Sequence, residues 1–287
     1  LIQILFGLPK RIKNEEVLFM KLCFSTLGCP GWTLNQIAGY GAGYGFDGVE
    51  LRLHPDGRHV DTSFDAQKRA DTRNLFAAHG LAIAALSGYT QFNSDDTDVL
   101  LDNGETLLRS ARLAADLNAP YLRTFIGQGG LSGKGAEILR RYCDKALELG
   151  VAVLAEIHAG TGLPTGGEAA VLLKTVDSAG LNILWDIHHS LTGNESLEDT
   201  WNAVGPRIRH VHAKDACPAN HPCLPGKGAL PLKDAVGLLK RAGYGGYLSF
   251  EWEKTWLPDL EEPEIALPLY VEYITNILKE ASYGKHF

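Results

Sequence analysis

The chain has 287 residues, 45% hydrophobic and 21% charged, with a formal net charge of -7. That is an ordinary globular balance, and an acidic surface repels phosphate backbones and anionic lipid, so neither nucleic acid nor a membrane surface is an expected partner. Five scattered cysteines (Cys23, Cys29, Cys143, Cys217 and Cys223) make no disulfide framework and imply a reducing cytoplasm, and no apolar run approaches a membrane span.

Residues 1–19, LIQILFGLPKRIKNEEVLF, precede the only methionine, Met20, and follow no pattern met later. The apolar run comes before the basic cluster PKRIK, the wrong order for a signal peptide. The segment therefore reads as non-native or upstream, and residues 20–287 as a single domain. From residue 21 onward a short apolar strand, a polar loop and an amphipathic helix recur. The expected strands are 22–28, 48–53, 81–87, 121–126, 151–158, 181–188, 208–215 and 247–253. Between them DAQKRADTRNLFAAHG, ETLLRSARLAADL, DKALELG, TVDSAG and LKRAGYGG read as helices or helix ends. Gly80, Gly150 and Gly180 stand as left-handed stops. A last helix is expected over 263–281, with Pro268 as a kink point. Eight strand–helix units fit a (β/α)8 TIM barrel, for which about 250 residues is typical. A doubly wound sheet usually opens on a glycine-rich turn, and no G-x-G-x-x-G follows a strand here.

Strand side chains alternate between faces. The apolar sets Val153/Ala155/Ile157, Ile183/Trp185/Ile187, Val211/Ala213 and Leu248/Phe250/Trp252 should meet the helices. The interior face then receives Glu50 and Arg52, Glu156 and His158, Asp186 and His188, His210, His212 and Lys214, and Glu251 and Glu253. These groups fall near the C-terminal strand ends, where barrel active sites are built. Unpaired carboxylates there cost several kcal/mol each, roughly, and a divalent cation offsets that cost. Glu156, Asp186, His212 and Glu251 come from the fifth to eighth strands, an oxygen-rich set suited to one Mn2+ or Mg2+ and tolerant of Co2+ or Zn2+. The competing expectation is an ion-pair network using Arg52, Arg123 and Lys214.

The motifs FDGVELR (46–52), AEIHAG (155–160), WDIHH (185–189), HVHAKD (210–215) and AGYGGYLSFEWE (242–253) resemble strand-end motifs of the xylose isomerase-like barrels, the sugar phosphate isomerases and epimerases. The resemblance runs from about residue 21 to 280. It implies one divalent metal on Glu156, Asp186, His212 and Glu251, and a D-x-x-H pair, Asp186 and His189, whose histidine touches substrate; strand parity would favour His188 instead. Ketose 3-epimerases carry a glutamate where this chain has Gly162 and an arginine where it has Pro218, and many relatives have an acidic residue where Lys227 stands.

The expected activity is a metal-dependent isomerase or epimerase of carbohydrate metabolism. It would act on a sugar, sugar phosphate or keto-polyol by removing a proton next to a carbonyl, through an enediolate. Glu156 and Glu251 are the expected acid–base pair. His189, His158, His188, Lys214, Glu50 and Arg52 are candidates to hold substrate. A keto-inositol-type dehydratase is the alternative on the same site. An apurinic endonuclease-like enzyme fits the charge less well, and a homo-oligomer stays open. Arg52, Arg123 and Lys227 are candidates to meet a phosphate or carboxylate, with nothing in the sequence to show that they converge. The segment CPANHPC (217–223) matches no familiar zinc module and reads as a lid loop.

Overall fold

The computed structural model describes residues 20–283 apart from 55, 57 and 58, so the expectation for residues 1–19 lies outside the described residues. The strands in chain order are β1 (Lys21–Ser25), β2 (Gly48–Arg52), β3 (Ala82–Ser87), β4 (Tyr121–Thr124), β5 (Ala152–Ile157), β6 (Leu181–Asp186), β7 (Ile208–His212), β8 (Asp215–Cys217), β9 (His221–Cys223) and β10 (Tyr247–Phe250). Eight of them close into a parallel barrel in the order β1-β10-β7-β6-β5-β4-β3-β2, with β8 and β9 as a separate antiparallel hairpin. Helices α1 (Leu34–Tyr44), α2 (Ala66–Ala78), α3 (Thr97–Asp116), α4 (Gly133–Glu148), α5 (Gly166–Val176), α6 (Ile187–Thr192), α7 (Leu197–Val204), α8 (Leu232–Arg241) and α9 (Pro263–Tyr283) alternate with the strands. The molecule is a (β/α)8 TIM barrel.

Alternation along the strands decides which side chains meet the helices. Phe24, Val49, Val153, Ile183, Trp185, Val211, Leu248 and Phe250 are all fully enclosed. Each such side chain contributes roughly 1.5–3 kcal/mol when buried. Phe250 stacks on Tyr270 of α9 with ring centroids 4.4 Å apart, which docks the final helix on the final strand. Gly80 and Gly150 end α2 and α4 with φ of 68° and 78°, as expected. Gly180 does not. Helix α5 stops at Val176, with Asp177 taking the left-handed position at φ 49°. Gly180 is needed for a different reason: a Cβ there would meet the carbonyl oxygen of Cys143 at 2.3 Å. Helix α9 runs on through Pro268.

Three helices, α1, α6 and α7, were not anticipated. Helix α1 starts at a Thr33/Gln36 capping box and ends at Gly45 with φ 95°, and Ser196 caps α7. The expected sixth strand is shorter, because the chain turns into α6 directly after Asp186. The expected lid loop folds into the β8–β9 hairpin. Its anchor is Asp215, whose carboxylate accepts the backbone N–H groups of Ala216, Gly226, Gly228 and Leu230 at 2.9 to 3.2 Å. Among the described residues no helix is long and apolar enough to cross a membrane.

Candidate active site

Inside the barrel the polar side chains form two layers that share His212. In the deeper layer Glu50, fully enclosed, projects from β2. Its Oε2 accepts from His210 Nε2 at 2.9 Å, His212 Nε2 at 2.8 Å and Ser249 Oγ at 3.1 Å, while Oε1 accepts from Ser87 Oγ. Burial opposes the charged carboxylate, but His212 and His210 outweigh it and hold Glu50 well below the usual carboxylate range. This corrects the expectation that Glu50 holds substrate. Side-chain parity gives its direction, but its depth and four partners leave it no reach to the mouth.

The upper layer lies at the C-terminal strand ends. One ligand-type atom from each of Glu156, Asp186, His212 and Glu251 falls within 4.8 Å of the others. The register explains the meeting: Asp186 pairs with His212 across β6–β7, and Ser249 pairs with His212 across β7–β10. His212 Nδ1 sits 3.3 Å from Glu156 Oε1, 3.4 Å from Glu251 Oε1 and 3.9 Å from Asp186 Oδ2. Neither His212 Nδ1 nor Glu156 Oε1 makes a hydrogen bond. With Nε2 donating to Glu50, Nδ1 of His212 is turned toward the carboxylate oxygens; burial opposes a charged imidazole, but Glu50 and Glu251 outweigh it and hold His212 well above its ordinary value, so without a metal Nδ1 carries a proton that a metal would replace. A buried cluster of that kind calls for a positive charge at its centre. The four residues therefore fit a divalent metal by donor type, burial and proximity, with Glu156 Oε1 the carboxylate oxygen left unbonded.

The same carboxylates are also tied to cations, two of them through oxygens that face His212. Lys214 Nζ donates to Asp186 Oδ2 at 2.9 Å and Glu251 Oε2 at 2.7 Å, and pairs with Glu253 at 2.9 Å. Arg123 Nη1 donates to Glu156 Oε2 at 3.1 Å and Glu251 Oε1 at 3.5 Å. Arg123 and Lys214 thus pair with the cluster as the ion-pair expectation has it, Arg52 pairs with Asp56 instead, and the four groups lie close enough together to hold a metal. Burial alone would raise Asp186, yet the Lys214 ammonium brings its carboxyl down to about 2. Glu251 likewise stays well below its ordinary value against its burial, with Lys214 the main cause and His212 the next. Burial pushes His189 down to about 4, so its imidazole is neutral at neutral pH.

Above the carboxylates runs a wall of flat groups. The Arg52 guanidinium lies 4.8 Å from the Trp256 ring and 5.5 Å from Tyr89, and Arg123 lies 4.7 Å from Tyr89 and 4.5 Å from Phe125. Phe125 meets His158 edge-on at 5.5 Å, His158 meets His189 at 3.7 Å, and His189 meets His188 at 5.2 Å. His189 keeps 15% of its side chain exposed at the mouth, whereas His188 is buried behind it. Because β6 ends at Asp186, strand parity does not extend to either histidine. The structure gathers Arg52, His158, His189 and Lys214 around the upper layer. Lys227 lies exposed on the loop after the hairpin. Tyr89 and Phe125 were missed; both follow strand ends, in SGYT and RTFIG, and their position at the mouth was the available signal.

An eight-stranded parallel barrel with its ionisable groups at the C-terminal mouth is the architecture of a TIM-barrel enzyme. Residues 40–268 match the profile of the xylose isomerase-like TIM barrel, and the chain belongs to that family. It is 30% identical over 148 residues to the inosose dehydratase of Geobacillus thermodenitrificans, covering 45% of this chain and 47% of that protein. It is 26% identical over 249 residues to the 3-dehydroshikimate dehydratase of Pseudomonas aeruginosa, covering 81% of this chain and 38% of that protein. The chain thus spans about half or less of the length of these relatives. Among solved structures, an L-ribulose 3-epimerase superposes with a TM-score of 0.79 at 17% identity, over 94% of this chain and 100% of that one. A probable 3-DHS dehydratase from Bacillus anthracis gives 0.74 at 20% identity, over 90% and 99%. These likenesses show the fold.

Proposed function

We propose that this barrel is a divalent-metal-dependent enzyme that removes the proton next to the carbonyl of a small keto-polyol, with loss of water as the outcome. The observation that carries the reading is the buried pair Glu156 Oε1 and His212 Nδ1, unbonded and 3.3 Å apart at the mouth. Glu156, Asp186, His212 and Glu251 would hold the ion, Mn2+ or Mg2+ by their oxygen-rich set, with Co2+ or Zn2+ tolerated. When bound, such an ion supplies Lewis acidity toward a carbonyl oxygen. Glu50 fixes the His212 ring by accepting its Nε2–H, which turns Nδ1 toward the site.

Glu156 Oε1 accepts the substrate proton. The C–H electrons form the new C=C bond as charge moves to the carbonyl oxygen. In the second step the carbonyl re-forms, the bond to the β-hydroxyl breaks, and the proton on Glu156 leaves with it as water. Arg123, bonded to the other oxygen of Glu156, orients the carboxylate. Lys214 keeps Glu251 charged, which makes Glu251 a poor proton donor and favours elimination over epimerisation. The curated relatives named above are dehydratases. Gly162 adds support: a Cβ there would meet the backbone of Gly130 at 2.2 Å, so the glutamate of ketose 3-epimerases has no room. Epimerisation is the second reading, favoured by two carboxylates, Glu156 on β5 and Glu251 just past β10, with β6 and β7 between them.

His158 and His189 would hold substrate hydroxyls, with His188 bracing His189, while the three donors of Lys214 are taken by carboxylates. We read residues 20–287 as one domain, and the five unpaired cysteines support a cytoplasmic setting. The test is turnover in D2O of the Mn2+-loaded protein with 3-dehydroshikimate, a keto-inositol and a ketose. Loss of water from a keto-polyol supports the dehydratase. Deuterium entering an inverted product supports the epimerase. No exchange with any of them rejects proton abstraction on these compounds.

A further inference from the structure

Two cations of the mouth have a hydrogen-bond donor that the protein does not use. Arg52, at the end of β2, donates through Nε to Tyr89 Oη at 2.9 Å and through Nη1 to Asp56 at 2.6 Å. Arg123, in β4, donates through Nε to the Gly88 carbonyl at 3.2 Å and through Nη1 to Glu156 and Glu251. Each side chain is only 3–4% exposed, and the Nη2 of each is buried with no hydrogen-bond partner. A buried donor left unmade is costly, so an acceptor arriving there gains more than a contact at the surface would. Lys214 is different: three carboxylates surround it.

Both guanidiniums lie against the ring of Tyr89, their central carbons 5.5 and 4.7 Å from its centre. Tyr89 and Arg123 also border a cavity of about 230 Å³ that is lined on its other side by Thr106, Leu107 and Ser110 of α3. The rings beside the two guanidiniums are Tyr89, half-buried, and Trp256, 51% exposed, with Phe125 against Arg123. All three stand on loops after strand ends, so they can part without disturbing the barrel.

We infer that the substrate of this site carries an anionic oxygen group, a carboxylate or a phosphate, that docks on Arg52 and Arg123 across Tyr89. Guanidinium forks match such groups with paired charge-assisted hydrogen bonds. The inference rests on the keto-polyol reading, because Arg123 ties the anion site to Glu156 and Glu251. It narrows the substrate from any keto-polyol to an acidic one.

The test is calorimetric binding of three unreactive cyclic polyols to the Mn2+-loaded full chain: quinate (a carboxylate), an inositol monophosphate, and neutral myo-inositol. At least one anion should bind about tenfold or more tighter than myo-inositol, and the better anion identifies the group. Trp256 fluorescence should change with it. Arg52→Gln should lose most of that preference while taking up Mn2+ as before, since Arg52 makes no bond to the four carboxylate and imidazole groups. Arg52→Lys should keep part of it. Equal binding of all three polyols overturns the inference, as does a preference that survives Arg52→Gln. Failure of Mn2+ uptake instead rejects the metal reading, and the anion preference can then be read on the metal-free chain.

Discussion

The two polar layers of the barrel are built from the same residue types and behave differently. Around Glu50 both carboxylate oxygens are occupied, by two imidazoles and two hydroxyls. A few ångströms nearer the mouth, Glu156 and His212 keep atoms unfilled although both residues are buried. A carboxylate with every oxygen taken stiffens the barrel and aims a side chain, even with His210 Nδ1 unbonded beside it, whereas one with an oxygen left open at the same burial has capacity to bind and to move protons. His212 spans both, with Nε2 in the closed layer and Nδ1 in the open one.

That contrast can be broken most directly at Glu156. Glu156→Gln removes the proposed base, and turnover should fall by about 10²–10⁴-fold with the fold intact by circular dichroism. A variant that keeps wild-type kcat would return Glu156 to a purely structural part. The next largest effect is expected at Lys214, whose ammonium is enclosed among carboxylates. Lys214→Met should destabilise the metal-free protein by about 3–5 kcal/mol in urea unfolding, by leaving buried charge uncompensated. Added Mn2+ should recover part of the loss, and absence of recovery would mean that cation and metal do not serve the same carboxylates. Chelation of the wild type should cost about 3 kcal/mol relative to protein held at a hundredfold excess of metal over its Kd. A Tm indifferent to metal would place the ion elsewhere or nowhere. The smallest effect tests the closed layer: Glu50→Gln should weaken Mn2+ binding by about 10–100-fold, and an unchanged Kd would show that Nε2 needs no such partner.

Much of this was legible in the chain. Period-2 alternation placed Glu156, Asp186, His212 and Glu251 on one interior face, and the register of β6, β7 and β10 brings them together. Alternation gives a direction and not a depth, which is why Glu50 was read as a substrate contact. The register irregularity between Val49 and Glu50 in the β2–β3 pair has no signal in a single sequence. The hairpin after β7 was missed because its order comes from one carboxylate, Asp215, reaching backbone groups up to fifteen residues away. The convergence of Arg52 and Arg123 on Tyr89 joins three strands, and no local pattern reports on that.

Asp186 closes β6 and caps α6 at once: Oδ1 accepts the backbone N–H of His189, and Oδ2 faces Lys214 and the cluster. One carboxylate thus sets both the charge of the site and the attitude of the helix that presents His189. A substitution that removes the oxygen altogether strikes two functions through one bond length of side chain. Asparagine, which caps helices as well as aspartate does, would strip the charge while leaving the histidine where it stands. The position is therefore a natural place to uncouple how the substrate is held from how it is activated.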